Sequence, residues 1–175
     1  MDYLAQNTEK IGMAPAVKAQ LKSHQIESPV TVRMKKGGGL EMIYRNCFLY
    51  DKEKPIENAV ADIQRLQGES EQDLVVFFGL GFGIHAEFLK KRFNAPLLIF
   101  EPSLDILKTT LSLRPFQFDN VFLETNFGRL AEIIDQRMEL SDRRMIVAIH
   151  RQYRELFSKE IDRFTFVVQQ AANSV

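Results

Sequence analysis

The 175-residue chain has little of what would indicate a particular chemistry. Its single cysteine, Cys47, excludes an internal disulfide and any metal site built from several cysteines. Only three histidines are present, and no two of them stand at metal-ligand spacing, so no metal site is predicted. No Ser/His/Asp arrangement or carboxylate pair can be recognised either, so the sequence predicts no catalytic residue.

Two further absences concern partners and location. Lys+Arg and Asp+Glu both number 23, so there is no basic excess of the kind that a nucleic-acid-coating surface needs. No apolar run approaches the ~18–20 residues of a membrane span, and the N-terminus lacks the basic-then-apolar order of a signal peptide. We therefore expect a cytoplasmic protein that binds neither nucleic acid nor membrane.

What the sequence does contain, from residue 74 onward, is a repeated alternation of strand and helix patterns. Largely apolar segments at 74–78, 97–101, 120–123 and 145–149 predict four strands. The unbroken apolar run at 74–78 predicts a strand that is buried on both faces, as in a parallel sheet. Right-handed crossovers, with the fourth strand returning beside the first, give the strand order 3-2-1-4. We predict an α/β fold: a Rossmann-like, methyltransferase-like three-layer domain at 71–175, closed by a long helix from about Gln152.

The first 70 residues predict a smaller helix–β-hairpin–helix leader. Its elements are a helix at about 15–24, strands at 29–35 and 40–45 joined by three glycines, and a helix at about 55–67 that buries Ile56, Val60 and Ile63. No Lys-Ser/Thr pair follows the three glycines, so a hairpin turn is favoured over a phosphate-cradling loop. A polar segment at 67–73 is predicted to connect the two units.

The candidate site lies where the first strand of the α/β domain meets its helix. Gly79, Gly81 and Gly83 would let the chain turn sharply and would present main-chain N–H groups to an anionic ligand. Glu101 follows the neighbouring strand, where a carboxylate can accept hydrogen bonds from ribose hydroxyls. His85 stands one residue inside the helix. These five residues are the predicted binding site, with a nucleotide-type small molecule as the candidate ligand.

A competing interpretation needs no ligand. The glycines would then serve the turn alone, Glu101 would cap a strand end beside solvent, and His85 would be a partly exposed first-turn histidine. The Gly-x-Gly-x-Gly spacing departs from the full dinucleotide fingerprint at Ile84 and is closer to the first motif of S-adenosylmethionine-dependent methyltransferases. His150, followed by Tyr153, is a further candidate at the carboxyl edge of the sheet.

Several segments together resemble a known family. Residues 77–85 (FFGLGFGIH), 98–103 (LIFEPS), 46–51 (NCFLYD) and 146–153 (IVAIHRQY) are similar to the N-terminal domain of motility accessory factor (Maf) proteins, in the Maf/pterin diphosphokinase-like family. The similarity runs from about Val30 onward, and the Gly-Leu-Gly-x-Gly and Phe-Glu-Pro-Ser pieces are its most specific parts.

The resemblance implies a bacterial cytoplasmic glycosyltransferase that attaches nonulosonic acids, such as pseudaminic acid, to Ser or Thr of flagellin. The family's catalytic domain follows the N-terminal one and carries a Gly-Pro-Ser-Leu motif after a strand. Here Pro102-Ser103-Leu104 appears only behind Glu101, so that motif is not carried over. The resemblance thus implies an accessory, non-catalytic domain of a chain that we expect to continue past Val175.

Two functional hypotheses remain. The accessory domain would have flagellin and a following catalytic domain as partners, the latter docking on an exposed stripe of the last helix at Phe157, Phe164 and Val168. The alternative is an S-adenosylmethionine- or nucleotide-binding enzyme of methyltransferase type. That enzyme class would carry an Asp/Asn-Pro-Pro-aromatic loop after the fourth strand, where this chain has His-Arg-Gln-Tyr at 150–153.

Overall fold

A computed structural model of the chain describes residues 3–35, 39–66, 74–116, 119–138 and 144–173. The helices are α1 (Leu4–Lys10), α2 (Pro15–Ser23), α3 (Pro55–Gln64), α4 (Ile84–Arg92), α5 (Leu104–Leu113), α6 (Phe127–Met138) and α7 (Ser158–Asn173). The strands are β1 (Gly12–Met13), β2 (Thr31–Met34), β3 (Leu40–Tyr44), β4 (Cys47–Phe48), β5 (Leu74–Phe78), β6 (Leu97–Phe100), β7 (Val121–Glu124) and β8 (Met145–Ile149).

The main sheet is parallel and has the order β1-β7-β6-β5-β8. Its last four members reproduce the predicted order 3-2-1-4, and the Rossmann-like fold class is confirmed. All residues of β5 and β6 are buried, which explains why these strands are apolar without alternation. The order places the end of β5 between the ends of β6 and β8, where the strand order reverses.

The leader adds one strand to this sheet. Gly12 and Met13 of β1 pair in parallel with β7, in the register Gly12 opposite Phe122. Strands β2, β3 and β4 form a separate antiparallel sheet, which confirms the predicted hairpin and extends it by one strand. The predicted turn at 37–39 and connector at 67–73 fall largely outside the described residues, and a domain boundary near residue 70 stays a prediction.

Helix α1 was not predicted, and a buried asparagine explains how it is held. The Asn7 side-chain amide donates to the carbonyls of Leu111 and Arg114, both at 2.7 Å, and its carbonyl oxygen accepts from the Phe116 amide at 2.8 Å. These bonds satisfy backbone groups at the end of α5, which otherwise lack helical partners.

The predicted buried face of α3 is correct only in part. Ile63 is buried as predicted, but Ile56 is 44% exposed and Val60 is half-buried, and Pro55 and Ala59 complete the buried face. The predicted start of the last helix, at about Gln152, is wrong. The last helix begins at Ser158, after a short 3-10 turn at Arg151–Arg154.

The stripe expected to be exposed on the last helix is also placed differently. Phe157, Phe164 and Val168 are buried in the hydrophobic core, where α7 packs against α6. This stripe is therefore part of the folding core of the chain and is covered by its own helices. Within the described part of the chain, no helix combines the length and apolar character needed to cross a bilayer.

Candidate functional site

The turn between β5 and α4, residues 79–83, requires glycine at three positions. Gly79, Gly81 and Gly83 have φ angles of 92°, 54° and 83°, in the left-handed region that favours glycine. An added Cβ at Gly81 would lie 2.5 Å from the Tyr50 hydroxyl oxygen, and one at Gly83 would lie 2.4 Å from the Phe116 ring. We call residues 79–83 the glycine turn.

All five amides of the glycine turn donate hydrogen bonds within the chain. Gly79 N–H donates to the Phe100 carbonyl at 2.8 Å, and Gly83 N–H donates to the Leu80 carbonyl at 2.9 Å. The three amides between them donate to side chains: Leu80 to Glu101 Oε2 (2.8 Å), Gly81 to the Tyr153 hydroxyl (2.9 Å) and Phe82 to the Tyr50 hydroxyl (2.9 Å). The N–H groups of the three glycines, which were expected to face a ligand, are thus bonded to two carbonyls and a phenol.

Glu101 is placed beside the turn as predicted, but it is completely buried and faces no solvent. Besides the Leu80 amide, it accepts the Tyr153 hydroxyl at 2.8 Å and the Ser103 amide at 3.0 Å. Burial raises the pKa of Glu101 to about 7, and these hydrogen bonds offset part of that rise. Neither interpretation of the sequence describes this position: Glu101 does not cap a strand end beside solvent, and it is not exposed to a ribose.

Tyr153 and Tyr50 contact the glycine turn but are not among the five residues of the predicted binding site. Both are buried, and burial raises the pKa of both phenols, so they stay protonated near neutral pH. The Tyr153 hydroxyl accepts from Gly81 and donates to Glu101, which joins the turn to the end of β6. The one available signal was Tyr153, which follows His150 at the carboxyl edge of the sheet.

His85 and His150 pack together beside the turn. Their ring centroids are 4.3 Å apart, and His150 also lies 4.8 Å from the ring of Tyr50 and 4.8 Å from that of Tyr153. His85 was expected to be partly exposed, yet it is only 3% exposed. Burial lowers the pKa of both imidazoles, that of His85 to about 4, so both rings are neutral at pH 7.

A second polar cluster, centred on Asp105, was not predicted from the sequence. The Asp105 carboxylate accepts from His24 Nε2 at 2.7 Å, from the amides of Glu27 and Ser28 at 3.0 and 3.1 Å, and from the Tyr44 hydroxyl at 3.1 Å. His24 is therefore held in this cluster. Burial alone would raise the pKa of Asp105, but these hydrogen bonds outweigh burial and lower it.

The structure thus brings four of the five predicted residues into one hydrogen-bonded unit and sets His85 beside it against His150. The binding of a nucleotide-type ligand by these five residues stays a prediction, and such a ligand would have to displace Tyr50 and Tyr153 from the amides. No group of three or more His, Cys, Asp or Glu side chains that could hold a metal occurs among the described residues.

Comparison with solved structures gives a likeness that covers nearly the whole chain. The chain is similar to a Maf glycosyltransferase from Magnetospirillum magneticum AMB-1, with a TM-score of 0.59 and 16% sequence identity. The likeness covers 97% of this chain and 34% of that protein's chain. At this identity it shows a Maf-like fold and no more. No protein-family profile and no curated protein sequence matches the chain.

Proposed function

We propose that this chain is the N-terminal Rossmann-like domain of a Maf-type glycosyltransferase and that it is an accessory domain without catalytic activity of its own. The observation that carries the proposal is the closure of the glycine turn, in which all five amides are bonded within the chain. In a nucleotide-binding Rossmann site, such amides and the following helix N-terminus contact the ligand's phosphates. The likeness to about a third of a Maf glycosyltransferase supports the choice of family.

By the resemblance noted in the sequence, the acceptor of the whole protein is flagellin and the transferred group is a nonulosonic acid, in the bacterial cytoplasm. The accessory domain would position flagellin or the catalytic domain. The buried stripe of α7 is not the docking surface, because its apolar residues lie in the core.

The first experiment asks whether the glycine turn binds a cofactor. NMR spectra of the chain are recorded with S-adenosylmethionine, NAD and a CMP-activated sugar, and the amide signals of Gly79, Gly81 and Gly83 are followed. We expect these three signals to stay unshifted, because their protons are already held by internal acceptors. Shifts of all three at micromolar ligand, together with calorimetric binding that Glu101→Gln abolishes, would instead support the methyltransferase-type enzyme.

The second experiment tests the accessory role itself. The chain is incubated with flagellin and a CMP-activated nonulosonic acid, and the intact mass of flagellin is measured. We expect no added mass, and we expect immobilised flagellin to retain the chain in a biolayer measurement. Transfer of the sugar by the chain alone would contradict the proposal. No retention on flagellin would exclude flagellin as the partner that the domain positions and would leave the catalytic domain in that role.

A further inference from the structure

A groove of about 520 Å³ opens beside the glycine turn, at the side of the sheet where β8 is the last strand. It lies between α3 and the 3-10 turn after β8, and none of the three turn glycines lines it. Its volume falls in the range of roughly 300–1,000 Å³ typical of small-molecule sites. We call it the arginine groove; its polar lining residues are Asp62, Arg65, His85, Arg151 and Arg154.

The lining of the arginine groove is positively charged. Among the described residues, three guanidinium groups face one carboxylate, that of Asp62, and His85 is neutral because burial lowers its pKa to about 4. Within the described residues, none of these three arginines has a carboxylate at ion-pair distance.

Two other arginines of the chain have carboxylate partners. Arg114 is paired with Glu87 and Arg129 with Glu132. Arg151 has an acidic neighbour, Asp51, at longer range. The pKa of Asp51 is lowered by amide hydrogen bonds from Lys54 and Glu53, and further by the charges of Lys54 and Arg151. The groove arginines are therefore available to anionic oxygens, which guanidinium groups bind in a bidentate manner.

A buried histidine at the groove provides an independent observation. Neither ring nitrogen of His85 has a hydrogen-bond partner among the described residues, although the side chain is almost completely buried. Its Nε2 lies 3.8 Å from Asp62 Oδ2, which is beyond hydrogen-bond distance. Buried polar atoms without partners are rare in native proteins, and a bound ion or water is one of their usual causes.

We propose that the arginine groove is a binding site for a small molecule with at least two anionic groups, phosphate or carboxylate. Arg65, Arg151 and Arg154 would contact the anionic oxygens. Asp62 would accept a hydrogen bond from a hydroxyl of the ligand. His85 would form a hydrogen bond with the ligand, or with Asp62 if the bound ligand moves that carboxylate closer to the ring. The proposal is independent of the proposed function, because it uses no hydrogen bond of the glycine turn.

The test uses inorganic pyrophosphate and citrate as separate probes, which distinguishes phosphate from carboxylate recognition. Binding is measured by calorimetry, and the ring signals of the three histidines are followed by NMR. His24 is the internal reference, since it is bonded to Asp105 and lines no part of the groove. The variants are Arg65→Ala and Arg154→Ala, with Arg33→Ala as the charge-matched control on an exposed face of β2.

We expect at least one probe to bind and to shift the His85 ring signals while those of His24 stay fixed. Each groove variant should weaken binding by at least about tenfold, the loss expected for one charge-assisted contact, and Arg33→Ala should leave it unchanged. Absence of heat and of a His85 shift with both probes at millimolar concentration would overturn the proposal. Equal weakening by Arg33→Ala would also overturn it, because binding would then follow net charge alone.

Discussion

The hydroxyl of Tyr153 donates to Glu101 Oε2 at 2.8 Å, and this one contact joins the end of β6 to the segment after β8. The same oxygen accepts the Gly81 amide at 2.9 Å. A phenol that donates to a carboxylate is a stronger acceptor for a second donor, so the two bonds reinforce each other. In nucleotide-binding Rossmann folds this turn is open to the ligand. In this chain it is part of a buried internal network.

Removing the Tyr153 hydroxyl should destabilise the fold. We expect Tyr153→Phe to lower the free energy of unfolding by about 1–3 kcal/mol, because the buried Gly81 N–H and the Glu101 carboxylate each lose a partner. Urea unfolding followed by circular dichroism measures the change. Tyr3→Phe is the matched control, and we expect it to alter stability by less than about 0.5 kcal/mol. Equal losses in the two variants would contradict the role assigned to the network.

Glu101 should make stability depend on pH. Its pKa is about 7 in the folded protein against an ordinary value of 4.5, mainly because the group is buried. The folded state thus keeps a proton that the unfolded chain releases, and this carboxyl lowers the free energy of unfolding as the pH rises from about 4.5 to about 7, by up to roughly 3 kcal/mol.

The two buried histidines act in the opposite sense over much of the same range. Burial lowers their pKa values below 6.5, so stability is lost as the pH falls and the unfolded chain binds protons there. We therefore compare Glu101→Gln with the unchanged chain from about pH 5 to about pH 8, since the histidine contribution cancels in the difference. The variant should gain relative stability as the pH rises. A difference independent of pH would contradict the raised pKa of Glu101.

The α/β domain was predictable because its signals are local. Largely apolar segments gave the four main strands, and β8 occupies the predicted residues 145–149. Helix α1 and strand β1 gave no such signal. The helix has seven residues, no side-chain cap and no acidic residue in its first turn, and the strand has two residues. Their positions are fixed by Asn7, which bonds to residues more than a hundred positions away, and by pairing with β7.

The backbone of the site was predictable, but the side chains that accept hydrogen bonds from its amides were not. Glycine spacing and the acid after β6 placed Glu101 beside the turn, since neighbouring parallel strands end at the same edge. The two phenols that accept the turn's amides lie 32 and 72 residues away along the chain. No periodicity links such positions, so a sequence pattern cannot distinguish a turn that is open to a ligand from one closed by its own tyrosines.

Gly81 should tolerate no side chain. Its φ angle is 54°, and a Cβ would lie 2.5 Å from the Tyr50 hydroxyl oxygen. We expect Gly81→Ala to cost more than about 2 kcal/mol of unfolding free energy, from backbone strain and displacement of Tyr50. Gly39→Ala is the control, because its nearest contact would be an ordinary 3.5 Å to Lys35 Cβ. If thermal unfolding shows the same midpoint for both variants, the turn is not packed as described.

Asp105 should hold the leader against α5. We expect Asp105→Asn to lower the free energy of unfolding by about 1–3 kcal/mol, because an amide can accept through one oxygen only and its N–H groups would oppose the donor of either Glu27 or Ser28. Hydrogen exchange should quicken first at those two amides. Asp162→Asn, an exposed change on α7 with the same loss of charge, should leave both exchange rates unaltered. Because hydrogen bonds lower the pKa of Asp105, the protection it gives should weaken as acid protonates its carboxylate, and unchanged protection in strong acid would contradict this role.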